Sequence, residues 1–306
     1  MYRSATKYLI LAAGCLLWAH SALAQGPPQR NPLSFTVDGG MAFQSNTDLK
    51  DGEGSFSTNR WAASIGVNWA FDYRNSIGLT VSGVGAKYDF DELAEIGGGE
   101  PWDKIDETRI SLFGRFGFGE NGSIIIGPSF RYSGEDDSDT SEGRTWGLFA
   151  GAAWRISPDL TIGPGFGIFS KLEDGTRFFP ILIIDWNITE RWNLSTGGGL
   201  GASQGPGLRL GYELNDRWSF GLTGRYENLE FRLNENGNTP NGIGQDKSFP
   251  LVLSTTWNPH RIVKLSVFAG AEFGGKLKLR DSEGDLITSS KYNTALIYGA
   301  TAEFRF

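Results

Sequence analysis

The feature that most constrains the fold is an alternation of apolar with small or polar residues, repeated along most of the chain. Between residues 61 and 71 the apolar side chains occupy every second position, and residues 146–156 and 263–273 repeat this pattern. Because successive side chains of a β-strand point to opposite faces, a period of two predicts strands with one apolar face. No convincing helical periodicity is present, so the expected fold class is all-β.

Segments of this kind recur from residue 33 to the end of the chain. A transmembrane strand needs about 9–11 residues, whereas strands of soluble proteins usually have about 5–6. The predicted strands are 33–44, 59–72, 76–88, 107–118, 123–133, 144–156, 160–170, 177–187, 192–202, 207–214, 218–233, 248–257, 262–278 and 291–306. In hydrocarbon every strand edge must be paired. We therefore expect a closed antiparallel transmembrane β-barrel of about 14 strands, with about 12 as the alternative if 200–214 is a single hairpin arm.

The connections between these strands alternate in length. Short turns such as 73–75, 157–159 and 215–217 alternate with mostly longer loops such as 45–58 and 89–106, and the longer loops are rich in Asp and Glu. Outer-membrane barrels have short periplasmic turns and longer outer loops. The alternation favours a barrel of this kind with acidic loops outside the cell.

Tryptophan collects beside the predicted short turns. An indole ring, apolar with one N–H donor, suits the boundary between lipid and water. Core packing in a soluble β protein is the alternative, but it does not explain this position. The predicted membrane-interface belt consists of Trp69, Trp154, Trp186, Trp192, Trp218 and Trp257.

The last strand alternates apolar residues and ends on an aromatic side chain. With Tyr298, Phe304 and the terminal Phe306, it resembles the last-strand signal of bacterial outer-membrane proteins, which implies insertion by the outer-membrane assembly machinery. The segments ITERW (188–192), GY (211–212) and AEFGG (271–275) also resemble a family of outer-membrane barrels without assigned function. This second resemblance covers roughly the C-terminal half and implies location and fold, but no activity.

The first 24 residues have the three parts of a secretory signal. Arg3 and Lys7 precede an apolar run at 8–19, and Ala22-Leu23-Ala24 forms a cleavage site. Cleavage after Ala24 is predicted; a retained anchor and a lipoprotein site at Cys15 are the alternatives. Residues 25–32 would then be a periplasmic lead-in, and 33–306 the barrel in the outer membrane of a Gram-negative cell. Outer-membrane lipid and lipopolysaccharide are the expected surroundings.

The face opposite the apolar one collects charges of both signs and many glycines. Charged side chains must be either hydrated or paired with opposite charges, and small side chains leave space for water between the strands. A water-containing lumen is therefore expected. The predicted pore-lining residues are Arg109, Arg115, Arg131, Arg155, Arg209, Arg225, Asp38, Glu213, Glu227 and Glu272. This lumen predicts a passive diffusion channel for small polar solutes, whose arginines set the ion preference. The alternative is a closed structural or surface-interaction barrel that presents its acidic loops.

One predicted strand does not follow the alternation. Residues 178–184 are apolar on both faces, and Phe149 and Phe169 also fall on the predicted inner face. Either a loop folds inward onto this patch, or the lumen has an apolar side, which would suit a hydrophobic solute.

Several classes of function lack the residues they need. A net charge of −7 argues against nucleic-acid binding, and a single cysteine cannot form an internal disulfide or a thiolate metal cluster. After the signal, the one histidine is His260, in a predicted periplasmic turn, and no catalytic or phosphate-binding motif is present. We therefore expect no enzyme, no cofactor and no metal site. The sequence indicates neither a solute nor an oligomeric state.

Overall fold

A computed structural model describes residues 32–50, 54–91, 100–138, 141–197 and 207–306. The predicted signal peptide, its cleavage site and nearly all of the lead-in lie outside the described residues. Within the described residues no helix has the length and hydropathy that a membrane span requires.

The regular structure of the described residues is one sheet of sixteen strand segments, antiparallel except for a single parallel pairing. In chain order they are β1 (Leu33–Asp48), β2 (Ser55–Ala70), β3 (Ser76–Asp91), β4 (Lys104–Phe118), β5 (Gly122–Glu135), β6 (Arg144–Ser157), β7 (Leu160–Ser170), β8 (Thr176–Asn187), β9 (Trp192–Thr196), β10 (Gly207–Asn215), β11 (Trp218–Arg225), β12 (Glu227–Arg232), β13 (Ile243–His260), β14 (Val263–Arg280), β15 (Leu286–Lys291) and β16 (Ala295–Arg305).

The sixteen segments make fourteen barrel strands. β11 and β12 lie end to end along β13, and β15 and β16 lie end to end along β14. The barrel closes because β1 pairs with β2 on one side and with β16 on the other, from Thr36 opposite Arg305 to Gln44 opposite Ile297. The prediction of a closed 14-stranded barrel is confirmed, and the alternative of 12 strands is wrong.

The outer surface of the barrel is an apolar band bordered by aromatic rings. On β13, Leu253 is 66% exposed while its inward neighbour Val252 is 6% exposed. The six predicted belt tryptophans are each 39–50% exposed and lie next to the periplasmic turns. At the other border, Phe43 stacks on Tyr298, with ring centroids 5.6 Å apart. A solvent-facing sheet would not present such a band, so the band lies in the outer membrane.

Beyond the outer aromatic border, β13 and β14 bend away from the barrel wall. Phe249 pairs with Phe273 and Lys247 pairs with Lys276, so β14 carries one more residue than β13 between these two pairs. Gly274, at a φ of 62°, occupies this bulge. A bulge of this kind bends the sheet, and its left-handed backbone position favours glycine.

The bend carries four strand ends across the outer mouth of the barrel. We call β12, β15, Ile243–Ser248 of β13 and 276–280 of β14 the upper sheet. Its edge strand, β12, reaches across to β5 and pairs with it in parallel at one position, Arg232 with Gly134. The upper sheet and β1–β5 therefore enclose a compartment smaller than the whole barrel.

This compartment is filled by the main hydrophobic cluster of the protein. Phe56 and Phe231 are fully buried. The cluster residues are Leu49, Phe56, Ala86, Tyr88, Phe90, Trp102, Ile105, Phe231, Leu233, Leu277, Leu279 and Tyr292. Several of them belong to strand ends that the sequence assigns to loops, among them Phe56 of β2, Phe90 of β3 and Ile105 of β4. The strands are longer than the membrane requires because their outer ends form this core.

Candidate functional site in the barrel interior

The upper sheet has two different faces, because side chains alternate along its strands. Leu229, Phe231 and Leu277 lie on the face that packs into the hydrophobic cluster. Glu230 and Lys278 lie on the opposite face, which we call the lumen face. Both faces of β12 are covered, since it crosses the interior instead of forming part of the wall.

A buried ionic network closes the compartment below the hydrophobic cluster. The Arg60 guanidinium lies 3.1 Å from the carboxylate of Glu272, 3.3 Å from that of Glu227 and 3.4 Å from that of Asp246. The Tyr88 hydroxyl donates to Asp246 at 3.0 Å. Charges that are paired and hydrogen-bonded in this way can be buried, so this half of the interior is sealed rather than open.

The edge of the upper sheet is fastened to β5 and the following loops. Arg131 is 3.2 Å from Glu107 and also donates to the backbone carbonyl of Glu230 at 3.2 Å. Arg232 donates to the carbonyls of Glu142 and Leu172. The other side of the outer half lies between the lumen face and strands β6–β10, where Arg177 of β8 and Leu172 of the preceding loop also contact the upper sheet.

Five cations line this side of the mouth, and we call them the basic cluster. They are Arg177, Lys247, Lys276, Lys278 and Arg280. Arg177 pairs with Glu230 at 2.9 Å, and Arg280 pairs with Glu173 at 2.8 Å. The three lysines make no ion pair within the described part of the chain. The cluster thus carries excess positive charge.

The surroundings of two of these lysines, Lys247 and Lys278, lower their pKa values. Both lie beyond the outer aromatic border, outside the membrane-spanning part of their strands. Partial burial lowers the pKa of Lys247, and the nearby charges of Lys278 and Arg177 lower it further. Partial burial, Arg280 and Lys276 lower the pKa of Lys278 in the same way. Mutual repulsion of this kind would be relieved by an anion.

The wall opposite the lumen face is apolar at the level just below the basic cluster. Phe179 stacks on Phe169 with ring centroids 5.3 Å apart and an interplanar angle of 2°. Ile181 and Ile183 follow on the same inner face of β8, and all four side chains are half-buried. We call these four residues the apolar wall. Within the described residues, the apolar wall thus forms an apolar side of the interior.

Inward-facing glycines of β6 and β7 make room for the apolar wall. A Cβ atom at Gly147 would overlap the Phe169 ring, and one at Gly167 would overlap the Phe179 ring. The rings therefore lie flat against the sheet instead of projecting across the interior.

The ten predicted pore-lining residues divide between the two sides of the interior. Asp38, Arg131, Arg225 and Glu272 are buried on the sealed side, and Arg115 is 9% exposed beside Ser123. Glu227 belongs to the network of Arg60. Arg109 pairs with Glu107 at 2.7 Å. Arg155, Arg209 and Glu213 are more accessible and lie towards β6–β10.

The periplasmic half of the interior is also rich in arginine. The charges of Arg115, Arg155 and Asp185 lie close enough to influence one another. Arg209 extends over Gly221 of the neighbouring strand, and a Cβ atom there would lie 2.8 Å from its guanidinium. A recess of about 550 Å³ lies at the periplasmic ends of β8–β10, with Glu213 in its lining.

Sequence reasoning missed Arg60 and the three lysines of the basic cluster. Arg60 adjoins Trp61 in a segment with clear alternation, so its inward position could have been read from the pattern. Lys247 falls in a predicted loop, and nothing in the local pattern distinguishes a strand end that bends inward from a loop. His260 ends β13, where its Nδ1 accepts the backbone N–H of Ile262 at 3.4 Å.

No family model and no curated protein matches the chain. Among solved structures, the COG4313 outer membrane channel from Pseudomonas putida F1 is similar over 94% of this chain and 100% of that chain, with a TM-score of 0.53 and 8% identity. A Pseudomonas aeruginosa FadL homologue has a TM-score of 0.47 and 12% identity, with 89% of each chain covered. The KdgM porin has a TM-score of 0.36 and 11% identity, with 89% of this chain and 99% of that chain covered. The first of these likenesses shows the fold, that of an outer-membrane β-barrel.

Proposed function

We propose that this outer-membrane barrel is a passive diffusion channel for small polar solutes and that it prefers anions. The observation that carries the proposal is the excess positive charge of the basic cluster, in which Lys247, Lys276 and Lys278 lack ion pairs within the described residues. Cations at a constriction attract anions and repel cations.

The proposed route follows the accessible side of the interior. A solute would enter between the lumen face and β6–β8, pass the basic cluster and the apolar wall, and continue past Arg209 and Arg155 to the periplasm. In this proposal the barrel holds the charged side chains in fixed positions beside a water-filled route. The solute crosses by diffusion and no chemical step takes place.

Ion selectivity in planar bilayers tests this function. We expect discrete conductance steps in KCl and a reversal potential that shows chloride preference. The double variant K247E/K278E should shift the preference towards potassium, because it replaces two cations by two anions at the constriction. The matched control is K87E, which makes the same change at an exposed residue on the outside of β3. Cation preference in the unmodified protein would refute the proposed selectivity.

The sealed compartment favours a second candidate, a closed barrel with a structural or surface role. The hydrophobic cluster and the Arg60 network occupy one side of the mouth completely. A refolded barrel that keeps its heat-modifiable migration on a gel but shows no conductance would support this candidate over the channel.

A further inference from the structure

The barrel interior holds two apolar groups with different accessibility. The cluster around Phe231 is sealed, with Phe56 and Phe231 at 0% exposed and Tyr88 at 2%. The apolar wall is half-buried and borders the proposed route. Packing in a closed core accounts for the first group but not for the second. An accessible apolar surface inside a channel points to contact with an apolar part of a solute.

The apolar wall and the basic cluster are contiguous. Arg177 and Phe179 are two residues apart on the inner face of β8, a separation of about 7 Å along a strand. Phe169 is the register partner of Arg177 on the neighbouring strand. Arg177 is joined through Glu230 to the lumen face, where Lys247 and Lys278 lie.

The charges of this site are complementary to an anion. Glu230 and Glu173 take up the guanidinium groups of Arg177 and Arg280. The lysines keep ammonium groups without ion partners in the described part of the chain. A lysine ammonium is a compact point charge that can pair with a small anionic group such as a carboxylate. A ring or short hydrocarbon on the same molecule would cover the apolar wall.

We propose that the channel has a binding site for small amphipathic carboxylates, with the carboxylate at Lys247 and Lys278 and the apolar body against Phe169 and Phe179. This inference rests on the proposed channel function and adds the class of solute. Each half of the site contributes to selection. A small hydrophilic anion meets only the lysines, and an uncharged aromatic molecule meets only the rings.

Block of the chloride current by three probes tests the site. Phenylacetate carries both groups, acetate carries only the charge, and phenylacetamide is a neutral analogue of phenylacetate. We expect phenylacetate to halve the current at a concentration about tenfold lower than acetate requires, because phenylacetate, unlike acetate, buries an aromatic face. Phenylacetamide should also need a higher concentration than phenylacetate.

Paired variants separate the two halves of the site. F179A should remove most of the difference between phenylacetate and acetate, whereas F178A, whose side chain is 63% exposed on the lipid side of the same strand, should not. K247Q/K278Q should weaken block by both carboxylates, and K87Q is its matched control. Each variant is first checked for heat-modifiable migration, so that an unfolded barrel is not scored.

The outcomes distinguish this inference from the channel proposal. A conducting barrel that phenylacetate and acetate block equally overturns the binding site and leaves the channel. If the barrel does not conduct, calorimetric titration of phenylacetate into the protein in detergent tests whether the binding site exists. Binding that F179A and K247Q/K278Q each weaken supports the site without a channel, and no binding overturns it.

Discussion

At the scale of single residues, Arg60 shows how a barrel interior can be closed by charge. Its guanidinium forms ion pairs with three carboxylates, of which that of Glu272 is 0% exposed and that of Asp246 is 4% exposed. The pair energies alone do not explain stability, since desolvation offsets much of the attraction. The large effect comes from removing one partner, because the others remain buried without a counter-charge.

We therefore expect Arg60→Met to destabilise the folded barrel by about 3 kcal/mol or more. The measurement is unfolding in urea with the protein in detergent micelles, followed by intrinsic tryptophan fluorescence. Lys87→Met is the matched control, because the ion pair of Lys87 with Asp89 is exposed to water and contributes little to stability. Equal effects of the two substitutions would contradict the role assigned to the buried network.

A second prediction at this scale concerns alkaline pH. The pKa values of Lys247 and Lys278 are lowered by partial burial and by neighbouring cations, so these lysines lose their protons at a lower pH than ordinary lysines. Chloride preference should therefore decline on the alkaline side of neutral, before the pH of about 10.4 at which an ordinary lysine titrates. Reversal potentials measured over this range test the expectation.

The control for the pH dependence of the chloride preference is the double variant K247R/K278R. Guanidinium groups stay charged throughout this range, so the variant should keep its chloride preference. If the preference of the variant declines in parallel with that of the unmodified protein, other groups control the selectivity.

At the scale of elements, the wall strands were predictable and the upper sheet was not. Residues 160–170 were predicted as one strand, and β7 has these bounds, because alternation and flanking turns both act locally. β12 has the same alternation as a wall strand, with Leu229 and Phe231 apolar and Glu230 polar. Its position inside the mouth depends on a bulge in β14 and on the distant partner β5. These are tertiary effects that the pattern of one segment does not contain.

The same distinction applies to the candidate site. The inner face of the wall could be assigned by counting alternate residues, which is how Phe169 and Arg209 were placed. The members of the basic cluster could not be brought together from the sequence, since Lys247 and Arg177 come close only when the upper sheet crosses the mouth and Glu230 of β12 meets Arg177 of β8. The sequence therefore predicts a charged interior but not which of the charged side chains lie together.

Phe231 is the side chain that should hold the upper sheet in place. Its ring lies 5.2 Å from that of Trp102 and 6.4 Å from that of Tyr88, and it is 0% exposed. Phe231→Ala should cost about 3–5 kcal/mol of the packing in this compartment. We expect faster amide hydrogen exchange in residues 227–248, measured by mass spectrometry in detergent.

Phe220→Ala is the comparison for this variant. Phe220 lies on the lipid face of β11 and is 40% exposed, so its loss leaves the compartment intact. Unchanged exchange in 227–248 after Phe231→Ala would show that the contacts of Arg131 and Arg232 hold the sheet without the apolar core.

At the scale of the whole molecule, one sheet performs two tasks. In the membrane it forms a single fourteen-stranded wall, and above the membrane it divides into a sealed compartment and an accessible side. The sealed side supplies a packed core, which a water-filled barrel otherwise lacks. The accessible side keeps the apolar wall and the basic cluster beside the proposed route. The sealed side thus contributes to stability, and the accessible side is the part of the sheet along which permeation is proposed.

The sheet closes where β16 pairs with β1, and Phe306 lies at the end of this ladder. The backbone of Phe306 exchanges two hydrogen bonds with Phe35, at 2.9 and 3.0 Å, while its ring is 64% exposed. We propose that the ring is read by the assembly machinery and that the backbone closes the barrel. Phe306→Ser removes the ring and keeps both hydrogen bonds, whereas deletion of Phe306 removes all of them.

Phe306→Ser should therefore refold in detergent with a free energy of unfolding within about 1 kcal/mol of the unmodified protein, since an exposed ring contributes little to packing. In cells, the same variant should reach the outer membrane in much lower amount, as measured by heat-modifiable electrophoresis of membrane fractions. Deletion of Phe306 should impair both refolding and assembly, because it also opens the β1–β16 ladder at its end. Normal assembly of Phe306→Ser would assign the terminal residue to barrel closure alone and refute its role as a signal.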